Sequence, residues 1–200
     1  GAKSNKETLI AELVRHLRAL QNNPYDKNAH SFVGNVDGYF KNETERRRLW
    51  SRPVEEGRNK GKTPFHLLLA ALTWSSKDEK LQNLVEKVDG YFKNETEKFG
   101  LWSRPIEASE DKGETPFHVL IFALASSPNS EKLRNFVQKV DSYFKDKKEM
   151  RGLWSRPVAG GANQGRTSFY CLLVTLARSS NSEKLQNLVE KVDGYFKNET

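Results

Sequence analysis

The sequence predicts an all-α fold, a solenoid of helix-pair units joined by long ordered connections. The first observation is a period of 52 residues without drift, marked by Trp50, Trp102 and Trp154. The second is that each unit opens with a short segment typical of a helix start, followed by an apolar run. The third is an amphipathic stripe later in the same unit. A fixed period of this kind is typical of stacked supersecondary units that share one core.

The inner helix of each unit is predicted to begin at Thr63, Thr115 or Thr167. A threonine hydroxyl can accept an otherwise unpaired backbone N–H, and Pro64 and Pro116 have no N–H to leave unpaired at the first helical position. The helix after each of these starts is apolar on every side. A helix that is apolar all round must be covered all round, so these helices are expected in an inner layer. The runs are residues 67–72, 119–125 and 171–176.

The outer helix is predicted over residues 79–94 of the second unit. Leu81, Leu84, Val85 and Val88 follow helical spacing and form one apolar stripe, with polar residues opposite. Ser76 and Glu79 have the spacing of a capping box, which predicts the start of this helix. The triplets at 42–44, 94–96 and 198–200 fit the glycosylation pattern but are interpreted as duplicated helix ends.

The connection between units is predicted to begin with Leu-Trp-Ser-Arg-Pro, at 49–53, 101–105 and 153–157. Proline disfavours the α conformation for the arginine before it, so this piece is expected to be extended, with its leucine and tryptophan folded back over the outer helix. Seven variable residues come next in each unit. These loops are 54–60, 106–112 and 158–164.

One continuous domain of four parts is predicted: a capping repeat (1–62), two full repeats (63–114 and 115–166) and a partial repeat (167–200). Polar residues such as Arg15 make the first inner helix amphipathic, as a cap with one face in water requires. The last unit lacks such a cap, which predicts a fragment of a longer protein. Self-association through this apolar end is therefore expected. Its candidate residues are Phe169, Leu172, Leu173 and Leu176.

The composition limits the function classes. No window approaches the 18 apolar residues of a membrane span, and a single cysteine favours a reducing, cytoplasmic compartment. The net charge of +7 divides unevenly: residues 1–62 carry 13 basic and 8 acidic groups, whereas residues 63–114 carry 7 and 10. A repeat protein that tracks a phosphate backbone is expected to place basic residues alike in every unit. Nucleic acid is therefore the less favoured partner.

Two segments resemble the opening of the ankyrin repeat. They are Gly-Lys-Thr-Pro-Phe-His at 61–66 and Gly-Glu-Thr-Pro-Phe-His at 113–118, and the order of inner helix, outer helix and long connection is similar too. The period is 52 rather than about 33 residues, and other ankyrin signatures are missing. The resemblance implies a protein-binding scaffold. Ankyrin-like arrays are also frequent in effectors that intracellular bacteria inject into host cells, which would place the protein in a host cytosol.

Two histidines and the cysteine are the first candidates for chemistry. His66 and His118 are the third residues of predicted helices and have no second metal ligand at a suitable spacing, so a structural link between adjacent units is favoured. The third copy has Tyr170 at this position, which supports that interpretation. Cys171 aligns with apolar residues and is interpreted as a small buried hydrophobe. No catalytic, cofactor-binding or metal-binding residues are assigned.

Three further positions recur once per unit and are interpreted as structural. Aspartates spaced 52 apart cannot pair for acid–base chemistry, so salt bridges to the arginines of the connections are favoured for them. The tryptophans and arginines could instead form a recognition ladder, since such residues dominate interfaces. Their identity in all copies favours the structural alternative. The positions are Asp37, Asp89, Asp141; Arg52, Arg104, Arg156; and Trp50, Trp102, Trp154.

Protein–protein interaction through the variable loops is the favoured function, because only there do units of fixed length differ freely. Absence of any constraint is the alternative explanation of that variation. The run 46–48, three arginines, is interpreted as a solvated helix end or as a contact for anions. A nucleic-acid or anionic-surface binder and the targeting region of a larger enzyme remain the other hypotheses. The candidate partner-binding residues are Glu55, Glu56, Arg58, Glu107, Glu110, Asp111, Asn163 and Gln164.

Overall fold

The structure is a computed structural model that describes residues 5–180 and 183–197. Every regular element in these residues is helical, which confirms the all-α prediction. In none of the helices described is there a stretch both long and apolar enough to cross a membrane. The helices are α1 (Asn5–Asn22), α2 (Lys27–Asn35), α3 (Glu43–Ser51), α4 (Pro64–Trp74), α5 (Glu79–Asp89), α6 (Glu95–Ser103), α7 (Pro116–Ser126), α8 (Glu131–Asp141), α9 (Lys147–Ser155), α10 (Ser168–Arg178) and α11 (Glu183–Gly194), with a 3₁₀ turn at Val36–Tyr39.

The predicted starts of the inner helices are confirmed. Thr63 is the N-cap of α4, and its hydroxyl accepts a hydrogen bond from the backbone N–H of His66 at 3.1 Å. Thr115 caps α7 in the same way, and Thr167 caps α10 by accepting from the Tyr170 N–H. Each cap satisfies one of the amide groups that a helix leaves unpaired at its start.

The helices α1, α4, α7 and α10 form an inner layer in which each packs against the next in chain order. Their apolar residues fill most of the core, and on α4 this includes the completely buried Phe65 and Leu68. The prediction that these helices are covered on all sides is wrong, because one face of each inner helix is half-buried or exposed. We call this face the open face. Its positions are Arg18, Gln21, Asn22; Ala70, Thr73, Trp74; Phe122, Ala125, Ser126; and Val174, Ala177, Arg178.

The outer helix is shorter than predicted. α5 ends at Asp89, and the next residues form a turn in which the Phe92 N–H donates to the Asp89 carbonyl at 3.1 Å. Asp78 rather than Ser76 caps this helix, since its carboxylate accepts from two backbone N–H groups, and the Ser76 hydroxyl instead meets that of Ser127. A carboxylate at this end also favours the helix dipole.

A third helix in the first three units was missed. The prediction of an extended Leu-Trp-Ser segment is wrong, because Leu101 to Ser103 form the last turn of α6. Asn94 does not end the outer helix but caps α6, accepting from the Glu97 N–H at 2.8 Å. Only from Arg104 onward is the chain extended, with φ −69° and ψ 116°. Asn198 lies outside the described residues.

Each variable loop is closed by the same pair of backbone hydrogen bonds. In the first loop the Val54 N–H donates to the Lys62 carbonyl at 2.8 Å, and the Gly61 N–H donates to the Val54 carbonyl at 2.9 Å. Gly61 has φ +85°, and a Cβ there would come within 2.9 Å of the Ala108 nitrogen in the next loop. Glycine is therefore required by both the backbone conformation and the close approach of the two loops.

Ser109 stands in a left-handed conformation, φ 86°, where the equivalent residues of the other loops are Gly57 and Gly161. Because a side chain destabilises this conformation, we expect Ser109→Gly to raise the free energy of unfolding by about 0.5–1 kcal/mol, measured by urea denaturation. Gly57→Ser is the matched control. No atom lies within 4 Å of a Cβ built there, so it should lower stability by a similar amount. Equal stability of both variants and the wild type would contradict this account.

Candidate functional site

Three buried aspartates form a hydrogen-bonded ladder along the protein. In the second unit, Asp89 accepts from the indole Nε1 of Trp102 at 2.8 Å and from the hydroxyl of Tyr143 at 2.5 Å. The tryptophan belongs to the same unit and the tyrosine to the next, so each carboxylate fastens two units together. Asp37 does the same with Trp50 and Tyr91, and Asp141 with Trp154 and Tyr195.

The predicted salt bridges between these aspartates and the arginines of the connections are wrong. Arg104 instead donates from Nη1 to the Ser51 carbonyl at 2.9 Å, and Arg156 donates to the Ser103 carbonyl. Arg52 lies 3.7 Å from Glu55 in its own loop. The two arginines that reach the preceding unit neutralise no carboxylate. They supply donors to carbonyls that a helix end leaves unpaired.

The ladder holds its tyrosines in the protonated state. Burial and then the hydrogen bond to Asp89 raise the pKa of Tyr143 well above its usual range. The ammonium group of Lys98 lies 3.5 Å from the Asp89 carboxylate and 4.3 Å from the centre of the Tyr143 ring. A buried carboxylate that is fully hydrogen-bonded and faces a cation is a stabilising arrangement, and nothing in it leaves a group free for catalysis.

His66 has a structural geometry at both ring nitrogens. Nδ1 accepts from the Thr63 backbone N–H at 3.1 Å, which leaves the proton on Nε2, and Nε2 donates to the Arg104 carbonyl at 2.8 Å. His118 repeats this with Thr115 and Arg156. The prediction that these histidines link adjacent units is therefore wrong, because each joins two parts of its own unit. Burial lowers the pKa of His66 to about 4.

Because His66 is buried as a neutral imidazole, we expect the free energy of unfolding to decrease in acid. The unfolded chain binds a proton near the ordinary pKa of 6.5 and the folded chain only near 4, so stability is complete above pH 6.5 and falls as the pH decreases towards 4. Between pH 7.5 and 5 we expect His66 to account for a loss of about 2 kcal/mol in the free energy of unfolding. Urea denaturation of the wild type and His66→Gln at both pH values measures it.

The quantity to compare is the loss of unfolding free energy in the wild type minus the loss in His66→Gln, because other groups also titrate in both proteins. Burial and the nearby Asp111 raise the pKa of Glu114 to about 7, and this group loses its contribution as the pH rises through 7. Both proteins share that effect, so it cancels. An equal loss for the wild type and His66→Gln would mean that His66 is not buried as a neutral imidazole.

The first two variable loops line clefts together with α1, the first inner helix. Residues of α1, among them Ala11 and Val14, line a cleft of about 470 Å³ together with the loop 54–60. Arg18 of the open face lines a second cleft, of about 640 Å³, between this loop and the next. The structure therefore places the first two loops beside α1 and beside its open-face residue Arg18.

Most of the predicted partner-binding residues are exposed; besides Glu55, which lies near Arg52, two of them are partly used within the protein. Asp111 is half-buried and lies 3.1 Å from the ammonium group of Lys62, and the half-buried Asn163 donates to Glu114 at 3.5 Å. These two side chains join neighbouring loops, so they position the loop tips. The six exposed residues are Glu55, Glu56, Arg58, Glu107, Glu110 and Gln164.

Trp74 was not predicted as a functional residue. Its side chain is 74% exposed at the end of α4, two residues beyond the apolar run 67–72 that was predicted to be covered on all sides. The equivalent positions in the other units are Asn22, Ser126 and Arg178, none of them apolar. That lack of recurrence was the available signal, because the structural tryptophans recur in three units and this one does not.

The arginine run is not a solvated helix end. Arg46 donates to the carbonyls of Asp37 and Phe40, and Arg47 donates to the Tyr91 carbonyl at 2.8 Å. Two of the three guanidinium groups therefore serve the packing of units. Arg48 alone is exposed, so little of this run is available for an anion.

Lysines of the outer layer do recur between units, contrary to the expectation from net charge. Lys93 and Lys145 occupy equivalent positions, and each lies within 4 Å of a glutamate in the preceding unit, Glu43 or Glu95. Lys184 lies 3.5 Å from Glu131 in the same manner. Because each of these lysines faces a carboxylate, the recurring lysines do not form a uniformly basic surface such as a phosphate backbone needs.

The fourth unit exposes part of its inner helix. Leu172 is completely buried, Phe169 and Leu176 are half-buried, and Leu173 is 42% exposed. Self-association through this surface stays a prediction. Cys171 is buried, as predicted, and burial raises the pKa of its thiol. A protonated buried thiol is a poor nucleophile.

Comparison with known proteins does not place this site in a family. No protein-family model matches the chain, and no significant match was found among the curated proteins or the solved structures. Within residues 5–180 and 183–197, no group of three histidine, cysteine or acidic side chains is arranged to hold a metal ion. The candidate site is thus defined by its own geometry: the open face, Trp74 and the three loops.

Proposed function

We propose that this protein is a non-enzymatic scaffold that binds another protein through its open face and variable loops. The single observation that carries the proposal is the exposed Trp74 on the open face. Tryptophan is the side chain most enriched among residues that dominate binding energy, and exposing one to water is unfavourable unless a partner covers it. The loops would form the rim of this interface and the indole its centre.

The regularity of the rest of the protein supports this division of roles. The recurring tryptophans, aspartates and histidines are all occupied by contacts within or between units, whereas the loops and Trp74 differ from unit to unit. In a stacked scaffold, constant residues hold the units and variable ones meet the partner. We further propose that the stacked units form an ankyrin-like solenoid, in keeping with the Gly-x-Thr-Pro-Phe-His segments. The protein would work in a reducing compartment, which is a host cytosol if it is a bacterial effector.

Affinity capture with paired variants tests the proposal. Immobilised wild-type protein and Trp74→Ala are incubated with lysate of the cells in which the protein acts, and retained proteins are identified by mass spectrometry. A partner is expected that the wild type retains and Trp74→Ala loses. With that partner purified, Trp74→Ala should weaken binding by about 30-fold or more, as for a central interface tryptophan.

Tyr25→Ala is the matched control, since Tyr25 is 85% exposed in the turn between α1 and α2 and is not an open-face position. It should bind the partner as the wild type does. Equal retention by all three proteins, or equal loss in both variants, would remove the open face as the binding surface. Failure of Trp74→Ala to change any retained protein would likewise contradict the proposal.

A further inference from the structure

We propose that the cleft between the first two loops binds an acidic peptide segment of the partner, an inference that rests on the proposed function and specifies its partner. The cleft holds about 640 Å³. It is lined by four basic side chains, Arg18, Arg58, Lys60 and Lys62, and by only two acidic ones, Glu110 and Asp111. Carboxylates are the groups that such an excess of cations recognises in a protein partner.

The cations of this cleft are largely unengaged. Only Lys62 is paired with a carboxylate, that of Asp111, and Arg18 donates to the neutral amide of Gln21. Arg58 and Lys60 are exposed, and their side chains make no hydrogen bond or ion pair within the described residues. Two charged groups on one loop are thus free to meet a ligand.

The next pair of loops is built differently. There the Lys112 carbonyl accepts from the backbone N–H groups of Ala159 and Gly160, both at 3.0 Å. The equivalent carbonyl, that of Lys60, receives no such bond from Glu107 or Ala108. Both pairs of loops approach each other closely, so what distinguishes the first pair is a backbone carbonyl that the next loop leaves without a donor.

An unused backbone acceptor favours a peptide as the ligand of this cleft. The Lys60 carbonyl receives no backbone hydrogen bond within the part of the chain described. A peptide offers a backbone N–H donor to this carbonyl while its carboxylates meet the cations. The phosphates of a nucleic-acid backbone offer acceptors alone and would leave the carbonyl unsatisfied.

A labelled hexaglutamate peptide is the probe. Fluorescence anisotropy at low ionic strength is expected to show binding to the wild type, weakened about tenfold or more by Arg58→Gln combined with Lys60→Gln. The matched control combines Lys112→Gln with Arg166→Gln, which removes the same net charge at the end of the second loop and just after the third, and should leave binding unchanged. Trp74→Ala should also bind the peptide as the wild type does. All variants are exposed-site changes, and circular dichroism verifies their folding.

Three results would overturn the inference. No binding of hexaglutamate removes it, and the proposed function then still stands if a partner depends on Trp74. Equal weakening by the control pair would show that net charge, not this cleft, attracts the peptide. Tighter binding of a short thymidine oligonucleotide than of hexaglutamate, lost in Arg58→Gln with Lys60→Gln, would assign the cleft to nucleic acid.

Discussion

Replacing Asp89 with alanine is expected to lower the free energy of unfolding by about 3–5 kcal/mol. Among the described residues, the change removes the only acceptor of the Trp102 indole N–H and of the Tyr143 hydroxyl, and it leaves the Lys98 ammonium group without its carboxylate. Buried donors that lose their partner keep their full desolvation cost, which is why the loss exceeds that of an ordinary hydrogen bond. Urea denaturation at pH 7 measures it.

Asp193→Ala is the matched control. This residue occupies the same position in the last unit, but its side chain is half exposed and its ionic contact is with Lys197, one helical turn away. A surface pair of this kind contributes little, so the control should change stability by less than about 0.5 kcal/mol. Similar losses at both positions would mean that the ladder does not account for the effect.

A double-mutant cycle identifies the partner of Asp89 directly. Asp89→Asn and Tyr143→Phe should be coupled by about 1–3 kcal/mol, since the two side chains are in contact. Asp89→Asn and Arg104→Gln should be additive, because Arg104 donates to the Ser51 carbonyl instead. Coupling to the arginine and none to the tyrosine would contradict the observed geometry.

The error about this aspartate shows the limit of reasoning from sequence. Arg104 was chosen because it is the nearest connection arginine along the chain, whereas the tyrosine that binds Asp89, Tyr143, comes from the next unit. The tyrosine recurs in the same motif as the aspartate, so a contact between units was suggested by the pattern. Spacing alone cannot tell which of two recurring groups a packed unit brings together.

The helices were predictable to different degrees for a physical reason. The inner helices have strong local signals, a threonine cap followed by proline and an apolar run, and their starts at Thr63 and Thr115 are confirmed. α6 has no such signal: its buried residues, Leu101 and Trp102, stand together at its end and show no helical period. Its cap, Asn94, was available in the sequence but was assigned to the preceding helix.

The candidate site was predictable only in part. The loops were found because they vary between units of constant length, which requires no knowledge of packing. Trp74 was missed because an apolar side chain close to a buried run is expected to be buried as well, and its exposure depends on where the neighbouring helices end. The basic cleft needed tertiary information as well, since Arg18 and Lys60 are far apart in sequence.

The second large effect is expected in the middle of the inner layer. Leu120 is completely buried on α7, which packs against α4 on one side and α10 on the other. With neighbours on both sides the surroundings cannot collapse freely, so Leu120→Ala should lower the free energy of unfolding by about 2–5 kcal/mol. We expect Leu81→Ala on the outer α5 to lower the free energy of unfolding by a similar amount, because Leu81 is almost completely buried.

Leu173→Ala on α10 is the control for Leu120→Ala. It removes the same atoms from a side chain that is 42% exposed, so it should cost less than about 1 kcal/mol. Urea denaturation of both variants under one condition gives the comparison. If Leu120→Ala costs no more than Leu173→Ala, α7 is not held between two neighbouring helices. The constant inner layer that positions the loops and Trp74 would then lack its main source of stability.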